Sequence, residues 1–256
     1  MVKLNEISKS YSKGAQALKN ISFKIEKGDF VSIIGPSGSG KTTILRLING
    51  SEKPNSGSIV IEEKRFDTTK GKQRKLVQRK TATIYQDFCL VEETSALQNV
   101  LNASLAEMSF LKVLLGRFSP EQKNRALKAL EAAGLQDKTE ARVSQLSGGQ
   151  KQRVAVAKAL MQNASLILAD EPVASLDPVT AESVIQLLKS LQNELNMTVL
   201  MNSHNVELAL KYSDRILGLK NGKIQFFCKP SEISKRMLDE LYAKSSEPTT
   251  FEAPGR

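Results

Sequence analysis

Eight residues, Gly35-Pro36-Ser37-Gly38-Ser39-Gly40-Lys41-Thr42, constrain this chain more than any other stretch. They fit the pattern G-x-x-x-x-G-K-[ST]. The apolar run Phe30-Val31-Ser32-Ile33-Ile34 precedes them, and the helix-like segment Thr43-Ile44-Leu45-Arg46-Leu47-Ile48 follows. Strand, glycine-rich turn and helix in that order are the context the pattern requires. The glycines let backbone N–H groups turn inward around phosphate oxygens. The helix N-terminus adds a partial positive charge. In such a loop Lys41 reaches the β- and γ-phosphates and Thr42 offers its hydroxyl to Mg²⁺. Gly35 to Thr42, with Thr43 behind them, are therefore the expected nucleotide contacts.

Further apolar runs recur along the chain: Ser58–Ile61, Thr81–Tyr85, Leu166–Ala169, Thr198–Met201, Ile216–Leu219 and Ile224–Phe227. Unalternating runs of this length suit strands buried on both faces of a mainly parallel sheet. Helical patterns lie between several of them, so the fold class is α/β. From about Phe88 to Gln162 the alternation stops, and helical periodicity takes over without a convincing strand. Ser119-Pro120-Glu121-Gln122 reads as a helix start, with Ser119 as N-cap, Pro120 in the first turn and Gln122 closing a capping box. Gly134 reads as the stop of that helix. The stretch is expected to be a helical subdomain inserted into the sheet domain. The tail from Ala243, rich in Ser, Pro and Thr, is expected to be disordered.

Composition narrows the partners. The net charge is +10, from 37 basic and 27 acidic residues, which points to anionic ligands or surfaces. The excess concentrates between Lys64 and Lys80, where Lys64, Arg65, Lys70, Lys72, Arg74, Lys75, Arg79 and Lys80 face one acid, Asp67. Two readings are open: a solvated loop and helix face, or a patch toward membrane headgroups or an acidic partner loop. No aromatic ladder interleaves the charges, so a nucleic-acid partner is not expected. No apolar run reaches the ~18 residues of a spanning helix. The first six residues lack the apolar core of a secretory signal. Cys89 and Cys228 lie far apart without metal-ligand spacing, which suits a reduced cytosolic chain.

Two acids end the run Leu166-Ile167-Leu168-Ala169-Asp170-Glu171. A buried strand delivers a carboxylate at its C-terminal end, where ligands of open α/β sheets bind. Asp170 is the expected Mg²⁺ carboxylate. Glu171 is the expected general base toward water, a role worth about 10²–10⁴ in rate. Downstream of the loop, Leu146-Ser147-Gly148-Gly149-Gln150 leads into the helical run Lys151–Leu160. A Ser-Gly-Gly turn at a helix start is a second anion-binding surface, or a helix cap and nothing more.

With these motifs in this order, the chain resembles the ABC ATPase family over about Met1 to Tyr242. The resemblance implies a P-loop NTPase core with N-terminal antiparallel β strands and the inserted helical subdomain. It implies an ATPase domain over 1–242, with a RecA-like core over about 1–86 and 165–228 and the helical subdomain over about 87–164. It implies ATP and Mg²⁺ as ligands. Leu146–Gln150 resembles the family's signature, so Ser147, Gly148, Gly149 and Gln150 would touch the γ-phosphate held by a second subunit. Two composite sites would then form across a head-to-tail homodimer. Ser175-Leu176-Asp177 resembles the D-loop, and Asp177 would connect the two sites. Gln86 resembles the Q-loop glutamine, near Mg²⁺ or the attacking water. Tyr11 resembles the aromatic that stacks on adenine. His204, the single histidine, resembles the switch histidine that contacts the γ-phosphate.

Glu171–Asp177, Leu111–Glu121 and Ala209–Ile216 are similar to phosphonate-type importer ATPases. The implied function is ATP-driven uptake of a phosphonate or related phosphorus oxyanion. The implied partners are integral membrane permease subunits and, indirectly, an extracytoplasmic solute-binding protein. The implied location is the cytoplasmic face of the cell membrane. Lipoprotein-release and cell-division ATPases, soluble ABC ATPases, and other P-loop proteins are the rivals. Asp87 and Cys89 depart from the phosphonate importers' common Gln and Asn, and Asn202 precedes Ser203-His204. These departures are expected to lie outside the hydrolysis roles. The apolar stretch Met108–Leu115 has two open readings, packing inside the helical subdomain or a groove wall for a membrane subunit.

Overall fold

A computed structural model describes residues 1–12, 15–68, 71–108 and 116–243. Residues 109–115 of the apolar stretch, Lys70 of the basic run and residues 244–256 of the tail lie outside the described residues. Two sheets organise the rest. The larger has the strand order β10-β9-β3-β8-β7-β6. Its parallel strands are β9 (Arg215–Lys220), β3 (Phe30–Ile34), β8 (Thr198–Asn202), β7 (Leu166–Asp170) and β6 (Thr81–Ile84). All five residues of β3 and of β8 are buried, as expected for strands covered on both faces.

Two of the apolar runs fall elsewhere than a parallel sheet. The run Ser58–Ile61 lies in β4 (Ser56–Ile61), which pairs antiparallel with β1 (Val2–Ser12) in a four-stranded sheet of order β2-β1-β4-β5. There Ile59 and Ile61 are buried and Ser58 and Val60 half-buried, so one face only meets the core. The run Ile224–Phe227 lies in β10 (Lys223–Cys228), an antiparallel edge strand with no fully buried residue. Four residues are too few for alternation to show. β2 (Ala15–Ile25) and the two-residue β5 (Lys64–Arg65) complete the smaller sheet.

Helix α1 (Lys41–Ile48) lies between the sheets, with Ile44, Leu45, Leu47 and Ile48 all buried in one core with Leu4, Ile21, Ile59 and Val31. Full burial of each such side chain stabilises by about 1.5–3 kcal/mol. The other face of the large sheet is covered by α5 (Gly148–Met161) and α6 (Pro178–Leu195), through Val156, Ile185 and Leu188.

Among the described residues of 88–162 there is no strand. Helices α3 (Ala96–Asn102), α4 (Pro120–Ala132) and α5 gather Val100, Leu130, Val143 and Val154 into a core of their own. Ser119 caps α4 through the expected capping box with Gln122, and Gly134, with φ 70°, follows its end. Short helices α2 (Gly71–Gln78), α7 (Val206–Tyr212) and α8 (Lys235–Tyr242) complete the set. No helix among the described residues is long and apolar enough to cross a membrane.

The basic run splits in two. Arg74 stacks 4.6 Å from the Phe66 ring and donates to the Gly50 carbonyl at 2.8 Å. Arg79 donates to the Ala106 carbonyl, and Arg65 pairs with Asp67. Among the described residues the arginines therefore anchor this segment, and Lys64, Lys75 and Lys80 face solvent.

Candidate functional site

Parallel register sets the site. Ile33 of β3 lies across from Asn202 of β8, and Asn202 lies across from Asp170 of β7. Three strand ends therefore present the phosphate loop, Asn202 and Asp170 side by side. The loop leaves β3 at Gly35, whose φ is 150°; a Cβ there would stand 1.9 Å from the Leu219 carbonyl oxygen. Gly40 closes the loop at φ 106°, and a Cβ there would meet the Ala17 carbonyl at 2.7 Å. Any side chain at either position would push the loop off its neighbours.

Lys41 is 5% exposed, and its Nζ donates to the carbonyls of Gly35 at 2.9 Å and Pro36 at 3.2 Å. Burial lowers its pKa below the ordinary lysine range, against the opposing pull of the Glu171 and Asp170 carboxylates. Among the described residues the buried Ser39 hydroxyl has no hydrogen-bond partner. A buried cation and an orphaned hydroxyl in a glycine-rich turn at a helix start fit a phosphate chain. Ser37, Gly38, Lys41, Thr42, Glu171 and His204 share the walls of a cavity of about 230 Å³.

Thr42 Oγ1 donates to Asp170 Oδ1 at 3.2 Å. One hydroxyl and one carboxylate beside a phosphate site are the oxygen donors Mg²⁺ takes from a protein when phosphates and water supply the rest. Glu171 follows Asp170 with φ 51°, in the left-handed region. For a non-glycine residue that costs about 1–3 kcal/mol and is held by its surroundings. His204 Nε2 lies 2.6 Å from Glu171 Oε1. A carboxylate only accepts, so Nε2 carries the proton.

The sequence reading kept Asn202 apart from the hydrolysis roles, and the structure sets it against the expected Mg²⁺ carboxylate. Its Nδ2 donates to Asp170 Oδ1 at 2.7 Å. The signal lay in the strand offsets: Asp170 and Asn202 each close a five-residue strand, but only the register makes them neighbours.

Of the other expected residues, Tyr11 lies beside the phosphate loop. Tyr11 is half exposed, with its hydroxyl 3.4 Å from Thr43 Oγ1 and Lys9 Nζ 5.0 Å from its ring centre. Gln86 is exposed in the turn after β6, two residues beyond Ile84, which pairs with Ala169. No hydrogen bond among the described residues ties it to the phosphate loop. The following turn places Phe88 and Cys89 both at positive φ, and Lys158 of α5 donates to the Cys89 carbonyl at 2.6 Å.

Ser147 caps α5, its Oγ accepting from Gln150 N while Gln150 Oε1 accepts from Ser147 N. Ser147 and Gly148 are exposed, and none of Ser147–Gln150 lines the phosphate-loop cavity. Gly149 is buried for a reason within its own chain: a Cβ there would stand 2.2 Å from Thr180 Cγ2. Thr180 cannot retreat easily, because its N–H donates to Asp177 at the cap of α6. The Thr180 hydrogen bonds hold the Asp177 carboxyl below its ordinary range. Gly149→Ala should therefore destabilise by about 1–3 kcal/mol and lower the melting midpoint by roughly 2–12 °C. Gly149→Ala/Thr180→Ser, which removes the clashing methyl, should regain most of that in the same thermal scan. An unshifted midpoint in the single variant would refute this packing.

A parallel sheet with this loop, a hydroxyl–carboxylate pair beside it and an acid–histidine pair across the mouth defines a P-loop nucleotide-binding protein. The ABC transporter family profile matches residues 18–174. The chain belongs to the ABC transporter family. It is 43% identical, over 96% of its length and 100% of the relative's, to the Phosphonates import ATP-binding protein PhnC of Lactococcus lactis subsp. lactis (strain IL1403). It is 41% identical to the protein of the same name from Mesoplasma florum, over 95% of this chain and 100% of that one. Among solved structures, a dimeric ATP-binding cassette in a post-hydrolysis state bound to ADP and Pi matches with TM-score 0.77 and 37% identity, covering 90% of this chain and 99% of that one. An ABC transporter cassette in its ADP conformation matches with TM-score 0.79 and 28% identity, covering 94% of each.

Proposed function

We propose that this chain is the ATP-binding and ATP-hydrolysing subunit of an importer for phosphonates or a related phosphorus oxyanion. One observation carries the cargo class: the near full-length likeness to proteins named for phosphonate import. That likeness favours import over lipoprotein release, cell division or a soluble role. The chain works as a head-to-tail dimer beneath membrane permease subunits, at the cytoplasmic face, with a solute-binding protein delivering cargo outside. The solved dimer with ADP and Pi supports the dimeric arrangement. The separate core of α3, α4 and α5 supports a division into a RecA-like core, about 1–86 and 165–228, and a helical subdomain, about 87–164.

The residues take these roles. Lys41 exchanges the Gly35 and Pro36 carbonyls for phosphate oxygens. Tyr11 offers its open ring to adenine. Thr42 and Asp170, with Gln86 from the turn after β6, would hold Mg²⁺, which would neutralise phosphate charge. His204 moves its N–H from Glu171 to the γ-phosphate, and this frees Glu171 to accept a proton from the attacking water. Ser147, Gly148, Gly149 and Gln150 complete the site of the second subunit, and Asp177 links the two sites. Loss of the γ-phosphate removes the contact that holds the dimer closed.

The test is ATPase activity of the complex purified with its membrane subunits, measured with the cognate binding protein and with or without a phosphonate. Several-fold stimulation by phosphonate, absent in Glu171→Gln, supports the proposal. Intact basal activity without stimulation would keep the ABC ATPase and remove phosphonate as cargo.

A further inference from the structure

We infer that Asn202 is a positioning residue for Asp170, orienting that carboxylate for the divalent cation that accompanies the nucleotide. The inference rests on the proposed role of Asp170. Three observations carry it. First, Asn202 Nδ2 is the nearer of two donors on Asp170 Oδ1, at 2.7 Å against 3.2 Å for Thr42 Oγ1. With both donors on Oδ1, the second oxygen, Oδ2, is the one left for the cation or its water. Second, Asn202 is fully buried and fixed by pairing on both sides, to Ile33 of β3 and Asp170 of β7. Its side chain therefore acts as a stop against which the carboxylate rests. Third, among the described residues its own Oδ1 is buried without a hydrogen-bond partner. A buried unpaired acceptor is unfavourable unless a donor reaches it. A water of the cation's hydration shell would supply that donor.

The chemistry needs an uncharged group here that both donates and accepts. Nδ2 gives Asp170 a hydrogen bond without bringing a charge that would compete for the carboxylate. Oδ1 gives the water an acceptor. Thr42 cannot do this alone, because its hydroxyl is itself wanted by the cation. Once Thr42 turns to the cation, Asn202 is the donor that keeps Asp170 in place.

The test is Mn²⁺ affinity in the presence of saturating ATP analogue, read by the electron paramagnetic resonance signal of free Mn²⁺. Affinity for the analogue without metal is measured in parallel. Removing a partner that orients a metal ligand typically weakens the metal about 10- to 100-fold. Asn202→Ala should therefore raise the Mn²⁺ dissociation constant at least about 10-fold. Analogue affinity without metal should stay within about two-fold, because among the described residues no hydrogen bond joins Asn202 to the phosphate loop. Asn202→Thr, which keeps a donor and suits a strand, should recover most of the Mn²⁺ affinity. Equal Mn²⁺ affinity in Asn202→Ala and the native chain would overturn the inference. So would a parallel loss of metal and metal-free nucleotide binding, or no recovery in a folded Asn202→Thr. Asp170→Asn separates this inference from the reading beneath it. If Asp170→Asn loses Mn²⁺ and Asn202→Ala does not, only the role of Asn202 fails. If Asp170→Asn itself keeps Mn²⁺, the assignment of Asp170 fails.

Discussion

Glu171→Gln should hydrolyse ATP at least about 100-fold more slowly than the native chain, the low end of what a general base contributes. With excess ATP it should accumulate as a dimer, seen by light scattering after gel filtration. The substitution is nearly isosteric, and Gln accepts the left-handed φ of 51° at this position no worse than Glu. The amide oxygen can still accept from His204 Nε2, so the geometry at the cavity mouth survives. What disappears is the proton acceptor. ATP then stays intact between two subunits, and the γ-phosphate contacts that close the dimer persist. Native protein under the same conditions should return to monomer as ATP is consumed. A variant that stays monomeric with excess ATP would end the trans-site proposal, and unchanged turnover would remove Glu171 as the base.

The sequence made the phosphate loop plain because its signal is local. Glycine spacing, a strand before and a helix after are all read within about twenty residues, as is the capping box at Ser119. The parallel strands were legible for a similar reason: burial on both faces leaves short apolar runs with no alternation. The features that escaped depend on partners distant in the chain. The antiparallel placement of Ser58–Ile61 follows from pairing with Val2–Asn5, which a four-residue run cannot announce. β1 and β2 mix Lys, Asn, Glu and Ser with their apolar residues, so no apolar run marks them, and only the family resemblance implied antiparallel strands there. Asn202 looked like a neutral departure next to His204, and became a partner of Asp170 only through the β7–β8 register. Gly149 was legible as part of an anion-binding turn, but its clash with Thr180 was not, since it depends on α5 meeting the start of α6.

Two inactive variants should restore activity when mixed. Lys41→Ala removes the buried ammonium from the phosphate loop, and Ser147→Arg places a bulky cation at the exposed start of α5. Each alone should lose nearly all turnover: the first cannot hold the phosphates, and the second cannot close on a neighbour's. Ser147→Arg also loses a helix cap, worth about 0.5–2 kcal/mol, so it should melt only a few degrees lower and remain folded. In a two-fold symmetric dimer whose sites each combine one subunit's loop with the other's signature, a mixed dimer holds one site with both lesions and one with neither. Random exchange at equal amounts makes half of the dimers mixed, so turnover should recover to about a quarter of native. The structure motivates this expectation, because Ser147–Gln150 take no part in the walls of their own phosphate-loop cavity. If the signature served its own chain, every site in the mixture would carry one lesion and nothing would recover. Turnover of the equimolar mixture, set against each variant alone, therefore decides whether the second half of the site comes from a second subunit.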